Sequence, residues 1–284
     1  MKSVLITGAS SGFGKMLTEQ LSAKSQYNII ATMRNTNSSN NKVKQQLEKL
    51  PNVEVLELDV TSQKEVDTIT ALILQKYQSI DILINNAGVF GGGLLEAHSI
   101  NQVQKLFDIN VYAPLRLMKA TLPSMRDQQD GLIINLSSML GFFSIPLNSV
   151  YSATKFALEA LVTGSYSELI QKGVENILVE PGSFPTKLYE KAGIKADLPD
   201  ITSSYDGMAE QMAAYANKAV YAAVQKHTPN PVAVVEKIIS LIEMEKGTRP
   251  MRNPIDHISG EEFAQKVADD ISILHQTQMK AYGF

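Results

Sequence analysis

Short, largely apolar runs recur along the first two thirds of the chain, each followed by a longer stretch with helical spacing. The runs Ser3 to Thr7, Asn28 to Met33, Val53 to Leu58, Ile80 to Asn85, Gly131 to Leu136 and Glu175 to Glu180 predict strands. The stretches Gly14 to Ala23, Ser62 to Tyr77, Ser99 to Met125 and Val150 to Gln171 predict helices between them. Ser62-x-x-Glu65 and Ser99-x-x-Gln102 have the form of capping boxes. Continuously apolar strands separated by helices belong to a parallel sheet covered on both faces. The expected fold is α/β, a three-layer Rossmann-type doubly wound parallel sheet of about seven strands in a single domain, 1–284.

After Glu180 the alternation fails. Residues 181–231 hold no convincing strand, and Met208, Met212, Tyr205, Tyr215 and Tyr221 sit in an Ala-rich helical context. Ordinary helix packing explains that spacing. So does a helical lid over a binding pocket, because long excursions in compact domains are usually functional; the lid reading covers 183–230. A helix from Pro231 to Lys246 and a short strand near Arg249 to Arg252 follow. The polar patch Arg34 to Lys44 reads as a surface loop.

Composition narrows the function. The 284 residues carry 26 Lys+Arg against 29 Asp+Glu, a net charge of −3, too little positive charge for nucleic acid to be the main partner. There is no Cys, which removes disulfides, thiolate nucleophiles and Cys-based zinc sites. His98, His227, His257 and His275 are scattered, so no metal is expected. Without a signal-peptide core or a run of ~20 apolar residues, no membrane span is expected and a cytoplasmic location is.

Thr7-Gly8-Ala9-Ser10-Ser11-Gly12-Phe13-Gly14 ends the first strand and opens the first helix. A helix N-terminus at the carboxyl edge of a parallel sheet offers free N–H groups and a positive dipole end, which suit a pyrophosphate. Gly8 would make the tight turn, Gly12 admit the phosphate and Gly14 let helix and sheet close together. The same letters nearly spell two other motifs. Gly8-x-Ser10-x-Gly12 matches a nucleophile elbow, but no earlier strand can supply its oxyanion loop and Ser10 has no obvious His partner. A P-loop would need Gly at Ala9 and Ser or Thr at Met16.

Tyr151 and Lys155 are four apart in a predicted helix and so share a face. A surface Tyr on a Lys stem would look the same. Carbonyl reduction by hydride, however, leaves an alkoxide that needs a proton, and a phenol with pKa ~10 gives one reluctantly near neutrality. Lowering that value about three units costs roughly 4 kcal/mol, about what an ammonium ~4 Å away supplies at an effective dielectric of ~20. Ser138, just past the strand ending near Leu136, could hold the substrate oxygen; Ser137 competes for that place.

Taken together these segments resemble a short-chain dehydrogenase/reductase of the shorter single-domain branch. The T-G-x-x-x-G-x-G loop is Thr7 to Gly14, N-N-A-G is Asn85-Asn86-Ala87-Gly88, and the active-site Asn falls at Asn110. The Ser-Tyr-Lys set is Ser138, Tyr151 and Lys155, and the P-G segment is Pro181-Gly182 with Thr186 beyond it. The resemblance implies catalytic roles for Asn110, Ser138, Tyr151 and Lys155, with Asn110 bending its helix and holding a water that relays protons to Lys155. It implies a dinucleotide bound by Gly8, Ser10, Ser11, Gly12, Phe13 and Gly14. Asp59 would meet the adenine, with Val60 beside it, and Asn86, Ala87 and Gly88 would support the cofactor. Lys155 would hydrogen-bond the nicotinamide ribose and Thr186 would meet the carboxamide, with Tyr151, Pro181 and Gly182 also among the cofactor-binding residues. Asp59 also reads as an acid before Thr61, and Asn86 as a turn residue. Members of the family often form a homodimer or homotetramer through the two long helices.

The second strand ends without the acid that NAD-preferring relatives carry, and Arg34 there can grip a 2′-phosphate. NADP(H) is favoured and NAD(H) stays possible. Phe90, Met139, Phe142, Phe143, Leu147, Phe184 and Leu188 cluster in sequence near the catalytic positions and suggest an apolar pocket. The expected activity interconverts a bulky apolar ketone or aldehyde with its alcohol, in the manner of retinol- and hydroxysteroid-dehydrogenase-like members. The alternative is a non-catalytic NAD(P)-binding sensor or scaffold.

Overall fold

The computed structural model describes residues 1–186 and 193–283. Seven strands form one parallel sheet: β1 (Lys2–Thr7), β2 (Tyr27–Met33), β3 (Val53–Glu57), β4 (Ile82–Asn85), β6 (Gly131–Leu136), β7 (Val174–Pro181) and β9 (Arg252–Ile255). Their order, β3-β2-β1-β4-β6-β7-β9, makes the chain reverse its direction of travel between β1 and β4. That reversal opens a crevice at the carboxyl ends of those two strands, where ligands bind in such sheets.

Alternation along each strand produces the layers. Val4 and Ile6 point to one side and pack with Leu17 and Leu21 of α1 (Gly12–Ser22) and with Val234 and Ile238 near the C-terminus. Leu5, between them, points to the other side, into a core shared with Val66 and Ile73 of α3 (Gln63–Tyr77) and Leu117 and Met125. Both faces are thus apolar, and the strands lack a polar stripe for that reason.

Several boundaries differ from the sequence expectation. The polar patch is only partly loop, since α2 (Asn41–Leu47) begins inside it and buries Leu47. The helix expected over Ser99 to Met125 is interrupted: α4 (Ile100–Phe107) passes through a wide π turn, Asp108–Tyr112, before α5 (Ala113–Gln128). Pro114 has no N–H and cannot close an α-turn onto the Asn110 carbonyl, so the turn widens there. Ser62 and Ser99 each accept a bond from the backbone three residues on. The return arms of both boxes go elsewhere: the Glu65 carboxylate takes the Asp59 N–H and the Gln102 amide donates to the Lys195 carbonyl.

The last strand starts three residues later than expected. Arg249 is drawn off the ladder, its guanidinium bonded to Glu175 and to the Leu241 and Met244 carbonyls. Beyond α6 (Ser149–Ile170) and β7 comes the helical lid. Its described part has a two-residue strand, β8 (Ile194–Lys195), paired with β5 (Gly91–Gly92). Then come α7 (Pro199–Ser203) and α8 (Met208–His227), which buries only Ala209. Helix α9 (Val232–Glu243) packs on the sheet, and α10 (Glu261–Ala281) closes the chain. No sequence signal marked α10: it buries only Ala264 and Ala268, so it carries no broad apolar stripe. Among the described residues no helix is long and apolar enough to cross a membrane.

Candidate active site

The glycine turn is held from the side by the neighbouring strand. Asn86, just past β4, donates through Nδ2 to the carbonyls of Thr7 (2.7 Å) and Gly8 (3.2 Å). In return the Thr7 hydroxyl accepts the N–H groups of Asn86 and Ala87, each at 3.0 Å. Gly8 has φ +70°, and a Cβ there would come within 2.9 Å of the Ala87 Cα. At Gly14 a Cβ would lie 2.4 Å from Asn86 Nδ2 and 2.7 Å from the Gly8 carbonyl. The two positions therefore require glycine, one for conformation and one for space.

This turn fits a dinucleotide. Ser11, the N-cap of α1, makes no side-chain cap, so the first N–H groups of the helix are not sealed by their own cap. Among the described residues a Cβ on Gly12, at φ +56°, would meet nothing closer than Thr186 Cβ at 3.9 Å. Ser10, Ser11 and Phe13 are half-buried around it, and Phe13 packs edge-on against Phe184. At the far end of the crevice Asp59 accepts through Oδ1 from the N–H and hydroxyl of Thr61, and Val60 is buried beside it. Arg34 is exposed just beyond β2, with its carbonyl bonded by Asn40. Glu57, in register with Met33 across the sheet, has its carboxylate engaged by the Thr36 hydroxyl at 2.6 Å.

Helix α6 brings Tyr151 and Lys155 to the same edge. Both are buried, at 5% and 6% exposure. Lys155 Nζ donates to the Leu136 carbonyl at the end of β6 (2.9 Å) and lies 5.7 Å from the centre of the Tyr151 ring. Burial lowers the Lys155 ammonium to about 8, against the pull of Glu159 one turn further on. Ser138 caps the short turn Met139–Gly141: its hydroxyl accepts the Leu140 N–H and contacts the Pro181 carbonyl at 3.4 Å. Ser137 is the more buried of the pair, at 6%.

Asn110 is committed at both ends of its amide. Its oxygen accepts the Val89 N–H, while Nδ2 donates to the Val89 carbonyl and to the Thr154 hydroxyl. The π turn thereby clasps the segment after β4 onto α6, next to Gly88. The side-chain amide is therefore occupied by protein partners. Pro181 ends β7, and Gly182 docks on β9 through its N–H to the Ile255 carbonyl (2.8 Å).

The expected apolar wall is only partly there. The Phe90 ring packs against Tyr151 at a tilt, and Met139 is buried beside Ser138. The Leu147 carbonyl accepts the Gly93 N–H, and Phe143 is exposed. Phe184, in contrast, belongs to the main core, and Phe142 packs its ring on Arg252. Leu188 lies outside the described residues. Sequence reasoning missed the Thr7 hydroxyl, Thr154 and the Phe90–Tyr151 contact, all of which depend on which segments the fold makes neighbours.

Comparison with known proteins agrees with this geometry. The family model described as short chain dehydrogenase matches residues 2–196. Human retinol dehydrogenase 8 is 33% identical over 256 residues, covering 88% of this chain and 79% of that protein. A short-chain dehydrogenase from Streptomyces avermitilis superposes with a TM-score of 0.74 at 29% identity, over 99% of this chain and 97% of that one. ElxO, solved with NADP bound, superposes with a TM-score of 0.73 at 25% identity, over 90% and 97%.

Proposed function

The chain belongs to the short-chain dehydrogenase family, and from that premise we propose that it is an NADP(H)-dependent oxidoreductase interconverting an apolar ketone or aldehyde with its alcohol. The observation that carries the reading is the placement of Tyr151 and Lys155. Both are buried on one face of α6, at the strand ends that also hold the glycine turn and Ser138.

When bound, the nicotinamide supplies or accepts the hydride. The protein handles the proton. Tyr151 donates it to the nascent alkoxide in reduction and takes it back in oxidation. Lys155, still mainly an ammonium at neutral pH, stabilises the phenolate that Tyr151 becomes. Its bond to the Leu136 carbonyl fixes the Nζ in that position. Ser138 orients the substrate oxygen, and Asn110 holds the backbone at Val89 against α6.

In this reading Gly8, Ser10, Ser11, Gly12, Phe13 and Gly14 bind the pyrophosphate end, and Asp59 and Val60 the adenine. Ala87 and Gly88 line the crevice, and Pro181, Gly182 and Thr186 flank the carboxamide. Arg34 takes the 2′-phosphate. Its exposure and the engagement of Glu57 by Thr36 favour NADP(H), and ElxO was solved with NADP. The likeness to retinol dehydrogenase 8 and the Phe90–Tyr151 wall support a bulky apolar substrate under the lid, 183–230. All 284 residues form one domain in this reading. Self-association through α5 and α6 goes with it, since Tyr112 and Phe156 stand exposed there. The test is titration of NADPH against NADH, followed by a ketone and aldehyde screen with the tighter binder. Tyr151→Phe serves as the control, and full turnover in that variant would refute the assignment.

A further inference from the structure

Beneath the Tyr151–Lys155 pair lies a second set of charged groups. Glu159 is one turn beyond Lys155 on α6 and only 4% exposed. Its carboxylate pairs with Arg252 of β9, which also lies 3.7 Å from Glu180 of β7. Arg252 is capped by the Phe142 ring, 5.3 Å from its Cζ. The carboxylate of Glu180 also accepts the Asn253 N–H at 2.7 Å. Glu159 is packed against the turn that carries Ser138: a Cβ on Gly141 would lie 2.9 Å from Glu159 Cγ and 3.0 Å from Ser137 Oγ. One buried side chain thus touches the surroundings of both Lys155 and Ser138.

We propose that Glu159, held by Arg252, is a positioning residue that fixes the Ser138 turn and keeps Lys155 in its ammonium form. The role rests on the assignment of Tyr151 and Lys155 made above. Buried carboxylates and cations persist only when they compensate one another. Among the described residues Lys155 faces Glu159 and the Tyr151 ring on α6, Glu159 in turn faces Arg252 on β9, and Glu159, Arg252 and Lys237 of α9 act on Glu180 of β7. Burial and the nearby Glu159 push the Glu180 carboxyl well above its ordinary value. Burial raises the Glu159 carboxyl as well, while Arg252, Ser137 and Lys155 each pull it back towards its charged form. Lys155 makes its hydrogen bond to Leu136, not to Glu159, so the influence is electrostatic across the helix turn. The Ser137 hydroxyl lies against the Glu159 carboxylate and favours its charged form.

The test reads Lys155 directly. In cofactor-free protein labelled with ¹³C-lysine, the Lys155 ε-carbon is assigned by its loss in Lys155→Arg and titrated by NMR. The midpoint is expected near the value of about 8 that burial sets. In Glu159→Gln it should fall by about one pH unit or more, since a carboxylate one turn away is removed at constant shape. Glu159→Asp should bring it back towards the wild type, which a purely structural role would not do. Should Glu159→Gln not fold, Glu159→Met combined with Arg252→Met removes the pair without orphaning either charge and should lower the midpoint by less. An unchanged midpoint in whichever of these variants folds overturns the proposal. Normal carbonyl turnover by Tyr151→Phe would instead overturn the functional reading, and the two failures are told apart because the titration needs no substrate.

Discussion

The ring of Phe90 rests on the ring of Tyr151, with centroids 5.0 Å apart and planes tilted by 51°. Phe90 belongs to the segment after β4, whose backbone is pinned by Asn110 and by the pairing of β5 with β8. The phenol is therefore aimed by a wall that also borders the lid. Replacing Phe90 by Ala removes an aromatic contact worth ~1 kcal/mol beyond its buried area. We expect kcat to fall about tenfold, with the cofactor Kd unchanged in a fluorescence titration.

Tyr151→Phe should bind NADPH as tightly as the wild type and lose about 10²–10⁴-fold in kcat, the usual yield of a positioned acid or base. Stopped-flow hydride transfer measures the chemical step and separates this loss from slow product release.

Arg34→Gln should weaken NADPH by about 10–100-fold, the value of a charge-assisted bond of ~1.5–3 kcal/mol, and leave NADH unchanged. Equal losses for the two coenzymes in isothermal titration would show that Arg34 does not read the 2′-phosphate.

Lys155 also links stability to pH. Burial holds its folded value at about 8, below the ordinary 10.5, so between those two values the unfolded chain binds more protons than the native one. Stability contributed by this group consequently rises with pH across that window, and its cost is present in full below about 8. Lys155→Met should therefore unfold at higher denaturant at pH 7, by about 1–3 kcal/mol, while losing activity. The gap should narrow by pH 9.5 in paired urea titrations.

Gly14→Ala puts a methyl 2.4 Å from Asn86 Nδ2 and 2.7 Å from the Gly8 carbonyl. Overpacking of this kind costs about 1–3 kcal/mol. Because the clash falls on the atoms that shape the turn, NADPH affinity should fall together with the thermal midpoint.

The order of strands and helices, the glycine turn and the Tyr151–Lys155 spacing were legible in the chain because each is a local pattern. Alternation of apolar runs with helical periods implies a parallel sheet, and a turn's glycines or a pair on one helix face are fixed by a few neighbouring residues. Glu159, four residues after Lys155, was within reach of the same reasoning. Its meaning was not, since the guanidinium that pairs with it comes from Arg252, ninety-three residues away on strand β9. Tertiary structure alone decided that Phe90 packs against Tyr151, that Phe142 and Phe184 serve Arg252 and the core instead of a pocket, and that Asn110 clasps Val89 to α6. These are contacts between segments distant in sequence, chosen by how the packed layers bring strand ends together, and no local period encodes them.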